Sequence, residues 1–276
     1  MERAPDPPIE SLFRLQNLDR ARMGIGSWLL LALWFPFGIV LMCVRTVLTI
    51  SASLLVPPLY RAWWVSFLAG MFLKVDNKVK LRDHGAVVVS NHLSYFDRMT
   101  VASAVRSHVP LATLIWHKVN WLNRYMARPT VDVLQPGQNR RLRDDVQAYL
   151  KHGNVLLFPE ATITDGGAVM RFEKMAFMLD ARVWLVTIRY RRALPFLAPS
   201  ALRDKPFVQL YYDLFQPWTV AELQVLGLHE AEEGETPEAY SQRAQARIAD
   251  ALGVPATQYT WRDRRRLMAE TSPKKA

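Results

Sequence analysis

From Gly24 to Tyr60 the chain carries one charge, Arg45, and is otherwise apolar, small or weakly polar. A bilayer core about 30 Å thick needs roughly twenty apolar residues per crossing helix, so this run is long enough to enter a membrane. It is too long, and too soon interrupted, for a cleaved signal peptide with its short apolar region and small-residue site. Pro36 and Gly38 both oppose a straight helix, which predicts two half-depth arms breaking at Trp34-Phe35-Pro36-Phe37-Gly38. Basic residues lie on both sides: Arg14, Arg20 and Arg22 before, then Arg61, Lys74, Lys78, Lys80 and Arg82 after. Positive flanks stay cytosolic, which a re-entrant hairpin satisfies and a single span does not. Arg45 is then expected to snorkel from the second arm towards headgroups. A single span and a buried core helix are the competing readings. Ala62–Leu73 is too short to cross and reads as an interfacial helix, with Trp63 and Trp64 at headgroup level.

The remaining length accommodates one large α/β domain with appendages. Half of the 276 residues are apolar and the net charge is +10, which admits nucleic acid or an anionic membrane as partner. The basic residues flank apolar segments and no nucleic-acid motif occurs, so no nucleic-acid partner is expected. A single cysteine, Cys43, excludes an intramolecular disulfide and any cysteine-based zinc site.

Beyond Lys78, apolar runs alternate with helical patterns. Strands are expected at Val79–Leu81, Ala86–Ser90, Leu111–Trp116, Val131–Leu134, Asn154–Phe158, Val183–Tyr190 and Phe207–Phe215. Helices are expected at Asp97–Val105, Trp121–Ala127 and Phe172–Leu179, and from Asn139, where Leu142, Val146, Tyr149 and Leu150 make one stripe. A last helix is marked by Thr236 as N-cap, Pro237 at the first helical position and Gly253 after the end. The pattern is an α/β fold: a mixed sheet covered by helices, behind an N-terminal membrane-anchoring helical hairpin. It divides into a polar N-terminus (1–23), hairpin and interfacial helix (24–77), α/β domain (78–233) and C-terminal helices with a basic tail (234–276).

Two stretches carry chemistry. The strand Ala86–Ser90 runs into Asn91-His92-Leu93-Ser94, and Asp97 follows in the first turn of a helix. A bend there lets Asp97 accept the Nδ1 proton of His92, fixing the tautomer and leaving Nε2 to take a proton from a substrate. Such a pair, without a serine, suits an enzyme whose substrate supplies the hydroxyl. The second strand ends at Pro159-Glu160, followed by Thr162 and Asp165-Gly166-Gly167. Glu160 thus falls at the carboxyl end of a strand, where α/β sheets bind ligands, and the glycine amides are placed to meet an anion.

Asn91-His92-x4-Asp97 together with Phe158-Pro159-Glu160-x-Thr162 resembles the glycerolipid acyltransferase superfamily over roughly residues 78 to 215. Asp165-Gly166, Arg171-Phe172 and Ala176-Phe177 continue the likeness. Three features depart from it, one being Val183-Trp184-Leu185-Val186, which lacks the proline that family carries in this strand. Ala161 stands where that family has glycine, and Val131-Asp132-Val133 lacks the arginine that contacts substrate phosphate. Arg140, Arg141 and Arg143 are near enough to substitute. Within the superfamily, the Phe-Pro-Phe-Gly segment, Leu81-Arg82-Asp83-His84 and Phe215-Gln216-Pro217-Trp218 are similar to the ancient ubiquitous protein family. That family continues into a ubiquitin-binding CUE domain, to which nothing in these residues corresponds.

The resemblance implies acyl transfer from acyl-CoA, a co-substrate rather than a bound cofactor, to a lysophospholipid or glycerol-phosphate hydroxyl. His92 is then the base and Asp97 its partner. Asn91, Glu160, Thr162, Gly166, Arg140 and Arg141 shape the acceptor site, and no metal is needed. It further implies an endoplasmic-reticulum and lipid-droplet location, with both flanks cytosolic. The alternative it carries is a scaffold that keeps the fold without turnover and works with endoplasmic-reticulum degradation machinery.

Overall fold

The computed structural model describes residues 5–14, 16–20, 23–56, 58–105, 107, 111–115, 130–132, 139–197, 202 and 206–271. Among these residues seven strands form one sheet: β1 (Met71–Asp76), β2 (Ala86–Ser90), β3 (Leu111–Ile115), β4 (Thr130–Asp132), β5 (Asn154–Leu157), β6 (Arg182–Arg192) and β7 (Thr219–His229). Their order is β1-β7-β6-β2-β5-β3-β4, parallel throughout except for the antiparallel β6–β7 pair.

β2 is central, and all five of its residues are buried. That is why it reads as an unbroken β-branched run: a strand covered on both faces needs apolar side chains in both directions. Val87 and Val89 face Leu142 and Val146 of the Asn139–Tyr149 helix and Ile248 of the Pro237–Leu252 helix. Ala86 and Val88 face Val101, Ala104 and Val105 of the Asp97–Val105 helix. Each fully buried valine stabilises the fold by about 1.5–3 kcal/mol relative to exposure. The Thr236, Pro237 and Gly253 signals are confirmed: the Thr236 hydroxyl accepts the Ala239 amide, and Gly253 adopts φ +65°.

The N-terminal segment differs from expectation. Ile25–Leu55 is one continuous helix (α1) that runs through Pro36, and by length and composition it suffices to cross a membrane. Proline removes the amide that would have bonded the Ala32 carbonyl, yet contacts on both sides hold the helix. Trp34 Nε1 donates to the Phe215 carbonyl at 3.0 Å, and the Phe35 ring lies 6.1 Å from the Phe215 ring. Gly38 leaves room for that ring, since a Cβ there would fall 2.5 Å from it. The reversal comes later, where Val56 is extended and Pro58 opens a second helix, α2 (Pro58–Leu68). Val65 and Ala69 pack back onto Ala52, so the expected hairpin with its break at Pro36 is replaced by one long helix that turns into the helix expected to be interfacial.

Arg45 does not snorkel outwards. It is 9% exposed, and its guanidinium donates to the carbonyls of Leu214, Gln216 and Pro217, at and just beyond the end of the Pro206–Phe215 helix. A buried cation is tolerable because these helix-end carbonyls have no intrahelical partner and carry partial negative charge. Gly70 permits the approach: at φ +80°, a Cβ would lie 2.1 Å from the guanidinium.

Other expectations are corrected. The interfacial helix stops at Leu68, and Met71–Leu73 belong to β1, so the sheet takes in residues placed with the membrane segment. Phe207–Phe215 lies in a helix: Pro206 opens it, and Gln209, Asp213 and Leu214 point inward at helical spacing. Val79–Leu81 is not a strand, and Phe172–Leu179 holds only the short 3-10 turn Lys174–Phe177. The expected helix at Trp121–Ala127 lies outside the described residues.

Candidate active site

The site lies at the carboxyl ends of β2 and β5. Asn91 continues the pairing of β2 with β6 by side chain: its Nδ2 donates to the Ile188 carbonyl at 3.0 Å and its Oδ1 accepts the Ile188 amide at 2.9 Å. Its amide group is 2% exposed and engaged within the fold. The chain then bends through a Ser-x-x-Asp turn that leads into the Asp97–Val105 helix. Asp97 Oδ2 accepts the Ser94 amide at 2.9 Å, while Ser94 Oγ accepts the amide of Phe96. That turn supplies the bend, because it folds Asp97 back towards the residues preceding the helix.

The same Oδ2 meets His92 Nδ1 at 2.8 Å and accepts the Leu93 amide. Oδ1 accepts the Tyr190 hydroxyl at 2.7 Å. Asp97 is fully buried, whereas the His92 side chain is 21% exposed. The imidazole is thus held at Nδ1, on a side chain that is partly open to solvent. Its face is covered by Phe158, ring centroids 4.2 Å apart and 14° from parallel.

Glu160 joins the two motifs. One carboxylate oxygen accepts the His92 amide at 2.9 Å and the other the Met170 amide at 3.0 Å. It is 1% exposed. Burial pushes its carboxyl up to about 8, against the pull of the two amides and helped by the nearby charge of Asp97. Its two oxygens are thereby engaged in holding the His92 corner. The Thr164 amide adds a bond to the His92 carbonyl at 2.9 Å.

Thr162 is buried close to this corner in sequence. Gly166, at φ +89°, lets the loop close on Leu93, since a Cβ there would approach Leu93 to 3.3 Å. The Gly167 amide is taken by Asp165 Oδ1 at 2.9 Å. Arg140 and Arg141 fall in the Asn139–Tyr149 helix, but their side chains lie outside the described residues. Arg143 is exposed and pairs with Asp144.

Three residues escaped the sequence reading. Tyr190 comes from β6, and Asp213 from the Pro206–Phe215 helix accepts the Ser94 hydroxyl at 2.6 Å. Burial raises the Asp213 carboxyl to about 6, against the charge of Arg192. Arg98, next to Asp97, has a buried Nε without a partner among the described residues, and burial lowers its guanidinium to about 10. The Ser94-x-x-Asp97 pattern was a readable signal for the bend. Tyr190 and Asp213 meet the corner across about ninety or more residues, and no local pattern announces them.

Residues 72–191 match the model of the acyltransferase family. That stretch takes in both His92-x4-Asp97 and the Pro159-Glu160 corner. Its likeness is to the glycerolipid acyltransferase superfamily, on the side of the AUP1 proteins. It is 25% identical over 269 residues to the lipid droplet-regulating VLDL assembly factor AUP1 of Xenopus tropicalis, covering 94% of this chain and 64% of that protein. It is 26% identical over 187 residues to the lysophospholipid acyltransferase LPCAT4 of Mus musculus, covering 62% of this chain and 34% of that protein. The chain therefore spans less than two thirds of the length of either relative. The crystal structure of the lysophosphatidic acid acyltransferase PlsC from Thermotoga maritima matches with a TM-score of 0.46 and 17% identity, over 82% of this chain and 94% of that one.

Proposed function

We propose that this domain transfers an acyl group from acyl-CoA to the hydroxyl of a lysophospholipid or glycerol phosphate, with His92 as general base. The observation that supports it is the His92 Nδ1–Asp97 Oδ2 contact at 2.8 Å, on a carboxylate held by further donors. With Nδ1 so engaged, Nε2 takes the acceptor hydroxyl proton as its oxygen attacks the thioester carbonyl. Collapse of the tetrahedral oxyanion breaks the carbon–sulfur bond, and the CoA thiolate leaves with the proton returned from Nε2. No enzyme nucleophile takes part. Positioned proton transfer of this kind contributes about 10²–10⁴-fold, and Asp97 stabilises the imidazolium formed on the way.

The reading places the domain on a membrane surface. The outward faces of α1 are apolar along its length, including Leu29, Leu33, Phe37, Val40 and Val47. Trp63, Trp64 and Phe67 of α2 join Phe72 of β1 in an exposed aromatic cluster; Trp63 and Trp64 meet edge-on at 5.0 Å, and Phe67 and Phe72 at 6.4 Å. Aromatic belts of this kind suit headgroup depth. Arg45 ties α1 to the Pro206–Phe215 helix, which supports a monotopic anchor lying against the domain, and the likeness to lipid droplet-regulating AUP1 supports a lipid-droplet and endoplasmic-reticulum location. Cysteines placed at Ala4 and Lys275 should then label from the same side; opposite sides would sink the hairpin.

A second reading, a scaffold without turnover, is favoured by one observation. Ala161, at the family's glycine position, is held at φ +54°, a strained departure inside the second motif. Purified protein given acyl-CoA and a panel of lysolipids separates the two. CoA release coupled to consumption of one lysolipid supports transfer, whereas lipid binding without release supports the scaffold.

A further inference from the structure

Asp97 is a fully buried carboxylate whose two oxygens have different partners. Oδ2 is shared by His92 Nδ1 and the amides of Leu93 and Ser94, all from its own corner of the chain. Oδ1 takes its bond from the Tyr190 hydroxyl at 2.7 Å, which comes from another part of the fold. Strand alternation explains the placement. Val186, Ile188 and Tyr190 lie on the same face of β6, the face against which Val101 and Val105 of the Asp97–Val105 helix pack. β6 also continues beyond Val186, the partner of the last β2 residue, so Tyr190 stands past the end of β2, level with the helix start.

The tyrosine is itself fixed. Its oxygen lies 3.3 Å from Thr100 Oγ1, and the Arg192 guanidinium sits 5.0 Å above its ring. Burial, and then the charge of Asp97, hold its hydroxyl well above the ordinary tyrosine range, so it remains a donor throughout the working pH range. The other charged groups facing Asp97 are the carboxyls of Glu160 and Asp213, with Arg192 behind Asp213. Of these, Asp213 carries the charge that repels Asp97 near neutral pH, which makes a neutral donor on Oδ1 the more consequential.

We propose that Tyr190 is a positioning residue for the dyad: its hydroxyl fixes the plane of the Asp97 carboxylate and tempers its basicity towards His92. Phenylalanine would fill the same space against Val101 and Val105, so packing alone does not account for the hydroxyl. Without it, Oδ1 is left buried and unpaired, and the His92–Asp97 pair binds a proton more tightly, because a donor to the charged form is gone. The consequence for turnover rests on the acyl-transfer reading; the electrostatic statement does not.

The test is a titration of the full chain in detergent micelles, labelled with nitrogen-15 histidine and followed by NMR, with His92 assigned through His92→Gln. In Tyr190→Phe the His92 midpoint should move alkaline by about half to one pH unit, the size expected for one charge-assisted hydrogen bond shared across a coupled pair. An unmoved midpoint overturns the proposal. If Tyr190→Phe does not fold, 3,5-difluorotyrosine at position 190 keeps the ring and strengthens the donor. The midpoint should then move acid, and no movement again overturns the proposal. Turnover gives a separate readout: Tyr190→Phe should lower kcat about tenfold with little change in KM. Unimpaired turnover in His92→Ala would overturn the base assignment and leave the titration to decide Tyr190 alone.

Discussion

The Glu160 carboxylate accepts the backbone amide of His92 at 2.9 Å, joining residues 68 positions apart. Two motifs that look independent along the chain are thereby one object, in which the second builds the backbone on which the first stands. With its other oxygen on the Met170 amide, Glu160 also ties both to the loop beyond Gly167.

Replacing Glu160 by alanine should therefore disturb the His92 corner from below. Two buried amides lose their acceptor, at a cost of about 2–4 kcal/mol. Denaturant unfolding should show an unfolding free energy lowered by that amount, through a lower midpoint at an unchanged slope. An unfolding free energy within about 0.5 kcal/mol of the parent would mean that the carboxylate is not holding these amides.

Ala161 adopts φ +54°, in the left-handed region where a Cβ costs about 1–2 kcal/mol. Glycine there removes that strain but gives the unfolded chain more freedom, returning part of the gain. Ala161→Gly should leave a net stabilisation of about 0.5–1 kcal/mol in urea unfolding. Destabilisation would show that the alanine methyl packs favourably enough to outweigh its backbone.

His229, at the end of β7, is 3% exposed, and its Nε2 has no partner among the described residues. Burial is the main cause that lowers it to about 4, helped by the charges of Arg243 and Arg247. Its native value lies below the unfolded one, so the unfolded chain binds the extra proton between them. The stability tied to neutral His229 is complete above about pH 6.5 and is lost as pH falls towards 4. His229→Phe should flatten the acid side of a Tm–pH curve in that window and leave the curve above pH 7 parallel to the parent. An equal slope below pH 6 would contradict it.

The parts legible in the sequence were those set by local pattern. β2 announced itself as a β-branched run, the Asp97–Val105 helix followed from its polar entry, and the last long helix carried its own cap, proline and terminal glycine. What failed was set by contacts across the chain. Pro36 should break a helix, and does not, because Phe215 packs beside it from 180 residues away. Arg45 reads as a headgroup contact until the carbonyls of Leu214, Gln216 and Pro217 are brought to it. Phe207–Phe215 is rich in aromatic residues and so resembles a strand, although Pro206 at its start was the better signal. β1 hid in an apolar stretch whose alternation of buried Met71 with exposed Phe72 is too short to outweigh the tryptophans before it. In the site, His92, Asp97 and Glu160 were found from spacing, while Tyr190 and Asp213 arrive from strands and helices far along the chain.

The central claim is that His92, held by Asp97, removes the acceptor proton. The direct measurement is CoA release by the purified full chain in mixed micelles, with acyl-CoA and the lysolipid that gives the highest parent rate, compared between parent and His92→Ala. The account predicts a fall of at least about 10²-fold in kcat, with membrane association unchanged. Full CoA release by His92→Ala would contradict it.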